Sequence, residues 1–289
     1  MIIDGKAIAE QIQNELKGFV QSIEGRKPCL AVILVGDHPP SQIYVGRKMQ
    51  ACANVGIISK KIEMNHASSE AVILAEIDKL NADDTVDGIL VQLPLPPHVS
   101  PFKIMRALDP NKDVDGFHPL NVGRLFEGQS DGFFPCTPLG IRTLLERSGV
   151  ETAGKHALVI GRSNIVGKPM AAMLLQNSIG GNATVTVAHS YSRNIKELGR
   201  MADILIAAIG KPRFVTADMI KEGAVIIDVG TNKIANPAKA GGYQIVGDVD
   251  FENVKEKCSL ITPVPGGVGP MTIAMLLSNT VRSFQRRRG

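Results

Sequence analysis

Apolar and polar positions alternate in blocks that predict helices and buried strands in turn along the chain. The segment "KAIAEQIQNELKGFVQSI" places apolar residues at helical spacing from Ile8 to Ile23, which predicts an amphipathic helix. The continuous apolar run "CLAVILVG" predicts a buried strand of a parallel sheet. A second helix carries Tyr44 and Lys48, with Ser41 as its predicted N-cap. The run "VDGILVQL" then predicts another buried strand, which the prolines of "PLPPHVSP" end.

A second alternating set follows in the rest of the chain. The segments "KHALVIGR", "ATVTVAHS", "ADILIAAIG", "AVIIDVG" and "SLITPV" predict five strands, with helical segments between most of them. "TPLGIRTLLERSGV" predicts a connecting helix with Thr137 as its cap, and "PMTIAMLLSNTVRSFQ" a final helix with Pro270 in first position.

Two alternating sets on one chain indicate an α/β protein with two α/β domains. We predict an N-terminal catalytic domain of residues 1–138, joined by the C-terminal helix 270–289. Residues 139–269 are predicted to form a second, Rossmann-like domain. A cleft between the two domains is the expected place for a cofactor to meet a substrate.

Composition narrows the class of protein. The chain has 289 residues, of which 44% are hydrophobic and 21% charged, as in globular enzymes. No apolar run is long enough to span a bilayer, and the first residues lack the apolar block of a secretory signal, so we expect a cytoplasmic protein. The formal net charge of +4 is small, and the one basic cluster, "RRRG", has no nucleic-acid-binding motif beside it.

Cysteines and histidines give no sign of a metal or disulfide site. The four cysteines are scattered, so neither a disulfide framework nor a zinc site is expected. His118 and His189 lack a second ligand at suitable spacing and are predicted to be structural.

The segment "HALVIGRSNIVGKPMAAML" predicts a strand, a tight turn at Gly161 and a helix whose N-terminus can bind a pyrophosphate. It departs from G-x-G-x-x-G because Ser163 occupies the position of the second glycine. The next strand ends at His189 and Ser190, without the acid that holds the ribose of NAD. Arg162, Ser163 and Ser190 offer a cation and hydroxyls to a 2′-phosphate, so we expect NADP; the alternative is that Arg162 is only a surface residue.

Two further strand ends contain glycine. Gly230 and Thr231 close "AVIIDVGT" and are candidates for the nicotinamide half, with a simple strand-end turn as the alternative. The segment "PVPGGVGPMT" either turns a strand into the final helix or lets backbone lie close to a flat ring.

Tyr44 and Lys48 lie one helical turn apart and therefore share a face of their helix. This spacing is that of short-chain dehydrogenases, but here the pair precedes the glycine-containing turn. Gln92 ends the strand "GILVQ", and Asp115 lies in the loop "DVDGFHP". Singly, Lys48 fits a solvated charge and Gln92 a strand-edge cap; together these residues predict a site at the carboxyl ends of parallel strands.

Six segments carry a resemblance that covers the chain from about Tyr44 to the last helix: "YVGRKMQACANVGI", "GILVQLPLPPH", "DVDGFHPLNVGRL", "PCTPLGI", "GRSNIVGKPM" and "TPVPGGVGPMTIAML". In this order they resemble the bifunctional methylenetetrahydrofolate dehydrogenase/methenyltetrahydrofolate cyclohydrolase (FolD) family. The resemblance implies NADP-dependent oxidation of 5,10-methylenetetrahydrofolate, then hydrolysis to 10-formyltetrahydrofolate, in one-carbon metabolism that feeds purine and amino-acid biosynthesis. It also implies a homodimer.

The resemblance further assigns residues. Lys48 is the implied chief catalytic residue, Tyr44 shapes the folate site, Gln92 hydrogen-bonds Lys48, and Asp115 binds the pteridine. The other implied folate contacts are Val91, Leu93, Pro265, Gly266, Gly267, Val268 and Gly269. The implied cofactor contacts are Gly161, Arg162, Ser163, Ile165, Ser190, Gly230 and Thr231.

Three alternatives remain open at the level of sequence: a monofunctional dehydrogenase of the same family, another two-domain NADP-dependent dehydrogenase, and a dinucleotide-sensing binding protein. Lys48 favours the bifunctional enzyme, because the hydrolytic step needs a base for the attacking water. That role requires a neutral amine, which burial and a neighbouring folate cation both favour.

Overall fold

The computed structural model describes residues 1–239 and 241–288, in which helices and strands alternate as the sequence predicts. The helices are α1 Gly5–Ser22, α2 Pro39–Val55, α3 Glu70–Ala82, α4 Pro101–Ala107, α5 Pro119–Phe126, α6 Cys136–Arg147, α7 Gly167–Leu175, α8 Ile195–Met201, α9 Phe251–Val254 and α10 Val268–Arg286. The strands are β1 Cys29–Val35, β2 Ile58–Met64, β3 Gly88–Val91, β4 His156–Ile160, β5 Thr184–Ala188, β6 Ile204–Ala207, β7 Val225–Asp228, β8 Asn232–Ala235, β9 Tyr243–Val246 and β10 Leu260–Ile261.

The chain divides into two compact units. The three-stranded unit comprises Glu10–Cys136 and Ile273–Gly289, and the five-stranded unit comprises Met1–Ala9 and Thr137–Thr272. The C-terminal helix thus returns mainly to the three-stranded unit. The exact domain limits given above stay a prediction.

The three-stranded unit contains a parallel sheet in the order β2-β1-β3. Its central strand β1 is buried along its whole length, which explains why "CLAVILV" is a continuous apolar run. Ile33 of β1, Ile89 of β3 and Ile73 of α3 pack in one core cluster. All three strands are parallel, so their carboxyl ends share one edge of the sheet.

The five-stranded unit contains a parallel sheet in the order β10-β7-β6-β4-β5, formed by the five strands that the sequence predicts. The α/β class and the Rossmann-like second half are therefore confirmed. An antiparallel pair, β8 with β9, was not predicted. Among the residues that the structure describes, strand β5 is hydrogen-bonded only to β4 in this sheet; it lies at the sheet's edge, where Val187 is 38% exposed.

Three predicted helix starts are wrong by a few residues. Helix α2 begins at Pro39 with His38 as N-cap, because two prolines can occupy its first positions. Ser41 lies inside the helix and its hydroxyl hydrogen-bonds the His38 ring at 3.0 Å. Helix α6 begins at Cys136, so Thr137 is not its cap. Helix α10 begins at Val268, which places Pro270 third rather than first.

Within the described ranges, 1–239 and 241–288, no helix is long and apolar enough to cross a membrane.

Helix α5 is not predicted from the sequence. Its start is defined by His118, whose ring accepts a hydrogen bond from the Leu120 backbone at 3.1 Å, and by Pro119 in the first position.

Candidate active site

Lys48 and Gln92 meet at the carboxyl edge of the three-stranded sheet. Gln92 directly follows β3, and its backbone donates to the Ile33 carbonyl of β1 at 2.9 Å. The Lys48 ammonium donates to the Gln92 side-chain oxygen at 3.0 Å. The Gln92 amide nitrogen donates to the Leu93 carbonyl at 2.6 Å, so the amide is fixed with its oxygen toward the lysine.

Tyr44 lies one helical turn before Lys48 on α2. Its side chain is 41% exposed, whereas Lys48 is partly buried. The Tyr44 ring is therefore accessible to a ligand that reaches Lys48. Val91, by contrast, is 3% exposed and packs in the core, so only its backbone can contact a substrate.

Asp115 faces Lys48 from the loop that follows α4. Burial raises the pKa of the Asp115 carboxyl, and the positive charge of Lys48 opposes that rise. The buried Cys136 thiol donates to the Val114 carbonyl at 3.4 Å and lies close enough to Asp115 to lower the pKa of that carboxyl, while burial raises the thiol pKa well above its usual value, so the thiol keeps its proton. The next residue, Gly116, has φ of +75°, and a Cβ there would lie 2.5 Å from the Phe134 carbonyl carbon.

Two buried residues that sequence reasoning missed support this loop. Asp113 accepts hydrogen bonds from the His118 backbone at 2.7 Å and the Asn121 amide at 2.9 Å, and burial raises its pKa to about 6. Asn279 of α10 donates to the Val114 carbonyl at 2.8 Å. The only sequence signals were a second acid in "DVDG" and an asparagine within an apolar helix.

The glycine-containing turn after β4 is closely packed backbone. Gly161 has φ of +130°, and a Cβ there would lie 2.2 Å from the Ala208 carbonyl oxygen. A Cβ on Gly167, the first residue of α7, would lie 2.2 Å from the Gly161 carbonyl oxygen and 2.8 Å from the Arg162 nitrogen. The Ser163 hydroxyl accepts from the Val166 nitrogen at 3.1 Å and helps to cap α7. Neither position has room for a side chain, so this turn requires glycine at 161 and 167 for its backbone segments to pack.

A pocket of about 280 Å³ opens beside this turn. Four of the expected cofactor residues line it: Gly161, Arg162, Ser163 and Ser190. The sequence did not predict its other lining residues, which come mainly from the ends of β5 and β6: Ile160, His189, Ile195, Ala208, Ile209, Lys211 and Phe214. The pocket thus combines apolar walls with two cations, as a nucleotide that carries an extra phosphate requires.

Polar groups surround the end of β5, where an NAD site would carry an acid. The Arg162 guanidinium lies 5.7 Å from the centre of the Tyr191 ring, and the His189 ring packs edge-on against Tyr191 at 6.3 Å. The backbone nitrogen of Tyr191 donates to His189 Nδ1 at 3.2 Å. Basic and hydroxyl groups at this position match a 2′-phosphate rather than a free ribose diol.

The remaining expected cofactor residues lie outside the lining of this pocket. Ile165 is 45% exposed in the turn before α7. Gly230 and Thr231 follow β7, where Gly230 is buried and Thr231 exposed. A Cβ on Gly230 would lie 2.4 Å from the Asp248 carboxylate, so this position requires glycine for space.

The predicted loop Pro265–Gly269 belongs to the five-stranded unit, and its last two residues, Val268 and Gly269, already form the start of α10. A Cβ on Gly5 would lie 2.1 Å from the Gly267 carbonyl oxygen, and a Cβ on Gly267 would lie 2.6 Å from the Pro263 oxygen. Pro265 and Gly269 are exposed, so part of the loop is open to a ligand.

Histidines have structural partners in this fold. His118 caps α5, and His189 accepts a backbone hydrogen bond from Tyr191. Across residues 1–239 and 241–288, no group of three His, Cys, Asp or Glu residues could hold a metal ion.

Comparison with known proteins relates this geometry to one family. Residues 3–115 match the catalytic-domain model of tetrahydrofolate dehydrogenase/cyclohydrolase, and residues 135–288 match its NAD(P)-binding-domain model. A bifunctional protein FolD from Protochlamydia amoebophila (strain UWE25) is 63% identical over 286 residues, which cover 99% of this chain and 98% of the relative.

Solved structures agree with the sequence relatives. The crystal structure of the bifunctional FolD methylenetetrahydrofolate dehydrogenase/cyclohydrolase from Campylobacter jejuni is 50% identical, with a TM-score of 0.93 and 99% of each chain covered. The dehydrogenase-cyclohydrolase (FolD) of Trypanosoma brucei, complexed with NADP and an inhibitor, is 40% identical. It has a TM-score of 0.93, over 99% of this chain and 97% of that one.

Proposed function

Because the chain belongs to the tetrahydrofolate dehydrogenase/cyclohydrolase family, we propose a role in that family's two reactions for each group of its candidate site. The chain is a bifunctional enzyme that oxidises 5,10-methylenetetrahydrofolate with NADP and hydrolyses the resulting 5,10-methenyl cation to 10-formyltetrahydrofolate. The roles of individual residues below are the proposal.

Lys48 is the base of the hydrolytic step, and its contact with Gln92 is the observation that carries the proposal. A neutral amine keeps one N–H directed at the Gln92 oxygen while its lone pair faces outward. That lone pair accepts a proton from water as the water oxygen bonds to the methenyl carbon. The hydroxyl proton of this adduct then passes to N5 as the bond from the carbon to N5 breaks and the formyl C=O forms. 10-Formyltetrahydrofolate leaves, and the proton that Lys48 took passes on to solvent.

Asp115 binds the folate rather than the water. A carboxylate accepts two parallel N–H bonds from the amino-pyrimidine edge of a pterin, as it does from arginine. The nearby Cys136 thiol favours the ionised carboxylate despite its burial. Tyr44 supplies an accessible ring beside Lys48 for the substrate. Leu93, the backbone of Val91 and the loop Pro265–Gly269 are proposed as further folate contacts because they resemble the family's segments.

The residues of the five-stranded unit fit NADP. A side chain at Gly161 or Gly167 would overlap neighbouring backbone and displace the turn whose N–H groups are proposed to approach a pyrophosphate. Arg162, with Ser190, is proposed to hold the 2′-phosphate, and Ser163 and Ile165 to flank the turn. Gly230 and Thr231 are proposed for the nicotinamide half. When bound, NADP accepts the hydride of the first reaction.

The replacement Lys48→Met tests the division of labour. Removing a positioned base lowers the rate by about a hundredfold or more, so we expect cyclohydrolase activity to fall by that factor. Dehydrogenase activity should survive, because hydride transfer needs positioning but no base. Both activities are measured separately, through the absorbance of NADPH and of the methenyl compound.

Lys79→Met is the matched control, since it removes an exposed lysine from α3 of the same unit. It should leave both activities unchanged. Full cyclohydrolase activity in Lys48→Met would contradict the assignment.

A homodimer and a cytoplasmic location are further parts of the proposal. Strand β5 leaves one edge unpaired within its sheet, and apolar side chains near it are exposed, including Leu175 at 60% and Ile179 at 88%. We therefore place the dimer contact at this edge. Light scattering of the parent and of Ile179→Lys should show a dimer that the substitution weakens, and cell fractionation tests the location.

A further inference from the structure

Two buried carboxylates lie side by side at the carboxyl edge of the five-stranded sheet. Asp228 is the last residue of β7 and is 2% exposed, and Asp248 follows β9 and is 0% exposed. The residues that line the pocket, as far as the chain is described, include neither of them. Asp248 accepts a hydrogen bond from the backbone of Ile209, which lines the pocket, and Asp228 accepts one from the backbone of Asp248.

Asp248 joins two segments of the chain, one of which lines the pocket. One of its oxygens accepts hydrogen bonds from the backbone nitrogens of Ile209 at 2.7 Å and Gly210 at 2.9 Å. The other accepts from the Asn232 side-chain amide at 2.9 Å. Ile209 and the nearby Lys211 line the pocket, and Asn232 follows the proposed cofactor contact Thr231. One carboxylate therefore sets the position of the chain after β6 relative to the chain after β7.

Asp228 in turn holds the Asp248 segment in place. One oxygen of Asp228 accepts from the backbone nitrogens of Gly230 at 2.9 Å and Asp248 at 2.8 Å, and the other from Val249 at 2.9 Å. A Cβ on Gly247 would lie 1.7 Å from the Asp228 carboxylate. The segment around Gly247 is closely packed against Asp228 and cannot shift easily, so we expect a change at Asp248 to move the loops that it binds.

Burying this pair is unfavourable in isolation. Burial raises the pKa of Asp228 to about 6, three backbone hydrogen bonds oppose the rise, and the charge of Asp248 adds to it. A hydrophobic pair of similar size would pack without that cost. What the carboxylates provide is a set of directed hydrogen bonds to main-chain N–H groups of three separate segments.

We propose that Asp248 is a positioning residue for NADP, which fixes the Ile209–Gly210 backbone and Asn232 without touching the cofactor itself. The inference rests on the proposed assignment of the pocket to NADP. It predicts that Asp248 affects cofactor binding and dehydrogenase activity, while hydrolysis assayed without NADP depends on it little.

Exchange of the amide and the carboxylate tests the contact directly. Asn232 is half-buried, so Asn232→Asp should fold. In this variant the new carboxylate at position 232 faces the Asp248 carboxylate at the distance of the present hydrogen bond. We expect the Kd for NADP to rise by about tenfold, because like charges at this distance repel. Adding Asp248→Asn restores a donor and an acceptor, because the amide nitrogen introduced at position 248 can face the new carboxylate. The double variant should return to within about threefold of the parent.

Removal of the Asp248 carboxylate tests whether NADP binding depends on it while hydrolysis without NADP does not. Asp248→Ala leaves two backbone N–H groups and one amide without their acceptor, and we expect the Kd for NADP to rise at least about tenfold. Cyclohydrolase activity without NADP should stay within about threefold of the parent. Asp250→Ala is the control, because this acid of the same segment accepts its side-chain hydrogen bond from the neighbouring Asn253 and should change neither quantity.

Calorimetric titration with NADP, thermal unfolding and both activity assays are measured on each full-length variant. A parent-like Kd in Asn232→Asp, no recovery in the double variant, or parallel loss of both activities in Asp248→Ala would each overturn the positioning role. If Gly167→Ala and Arg162→Ala also bind NADP as the parent does, the pocket assignment itself is wrong, and the inference falls with it. If Gly167→Ala and Arg162→Ala bind NADP poorly while the variants at Asp248 and Asn232 bind it as the parent does, the pocket assignment stands and only the role of Asp248 is wrong.

Discussion

In the three-stranded unit the groups assigned to chemistry are side chains, Lys48, Gln92 and Asp115, which reach one another from α2, the end of β3 and a loop. In the five-stranded unit the corresponding surface is largely backbone, shaped by Gly161 and Gly167. Proton transfer and pterin recognition need particular functional groups, whereas a pyrophosphate needs N–H groups that it can approach closely. In the three-stranded unit, substitutions should therefore impair function by removing a functional group. In the five-stranded unit, they should impair it by adding atoms where the backbone is closely packed.

Each unit also contains a buried aspartate near its functional loop, and the two are held differently. The pKa of both Asp113 and Asp228 is raised to about 6 by burial. Both oxygens of Asp228 accept backbone hydrogen bonds, whereas Asp113 Oδ1 has no partner within the described chain. Two carboxyl groups that are buried to a similar degree can therefore differ in how completely their oxygens are hydrogen-bonded.

The largest effect is expected for Gly167→Ala. Its new Cβ overlaps backbone atoms of Gly161 and Arg162, and a displacement of about 1 Å in a positioned group costs about a hundredfold. The Kd for NADP, measured by calorimetry, should rise by at least that factor while hydrolysis without NADP persists. Gly18→Ala adds the same atom to α1 where nothing lies within 4 Å, and it should stabilise the protein by about 0.5–1 kcal/mol. Unchanged NADP affinity in Gly167→Ala would refute the close-backbone account.

A smaller but distinct effect is expected for Asp228→Asn. An amide offers one acceptor oxygen, so at least one of the buried N–H groups of Gly230, Asp248 and Val249 loses its partner. We expect the free energy of unfolding at pH 7, from urea denaturation, to fall by about 2 kcal/mol. If Asp228→Asn is as stable as the parent, the hydrogen bonds that distinguish Asp228 from Asp113 do not contribute to stability as described.

The effect expected for Asp113→Asn depends on pH and is smallest near pH 4. The amide oxygen can still accept from His118 and Asn121. Because the folded pKa of Asp113 is raised from 3.8 to about 6, its contribution to stability is complete below pH 3.8 and is lost as the pH rises through 6. The variant lacks this loss, so its stability relative to the parent should increase between about pH 4 and about pH 8, by at most about 3 kcal/mol. A difference that stays flat over this range would show that Asp113 does not titrate as described.

Much of the fold could be predicted because the chain's buried strands are continuous apolar runs. Strands β1, β3, β6 and β7 follow from that pattern, because they are buried along their whole length. Helix α5 and the β8–β9 pair could not be predicted, since a short helix after a proline and a half-exposed hairpin bury too few residues to set a period. The wrong cap at Ser41 has a local cause, as Pro39 and Pro40 start α2 earlier.

The site divides in the same way. Lys48, Gln92 and Asp115 are found from the sequence because their segments resemble a family, and the roles given to them stay predictions. Asp113, Asp228 and Asp248 could not be found, because their partners are backbone N–H groups that only the folded chain brings near. An acid that binds main chain leaves no spacing pattern in the sequence.

The most direct test of separate side-chain and backbone mechanisms is the ratio of the two activities in Lys48→Met and Gly167→Ala. The ratio compares cyclohydrolase turnover without NADP to dehydrogenase turnover at a fixed NADP concentration below its KM. We expect Lys48→Met to lower this ratio and Gly167→Ala to raise it, each by about a hundredfold. If both substitutions shift the ratio in the same direction, or leave it at the parent value, the two units do not divide the work as proposed.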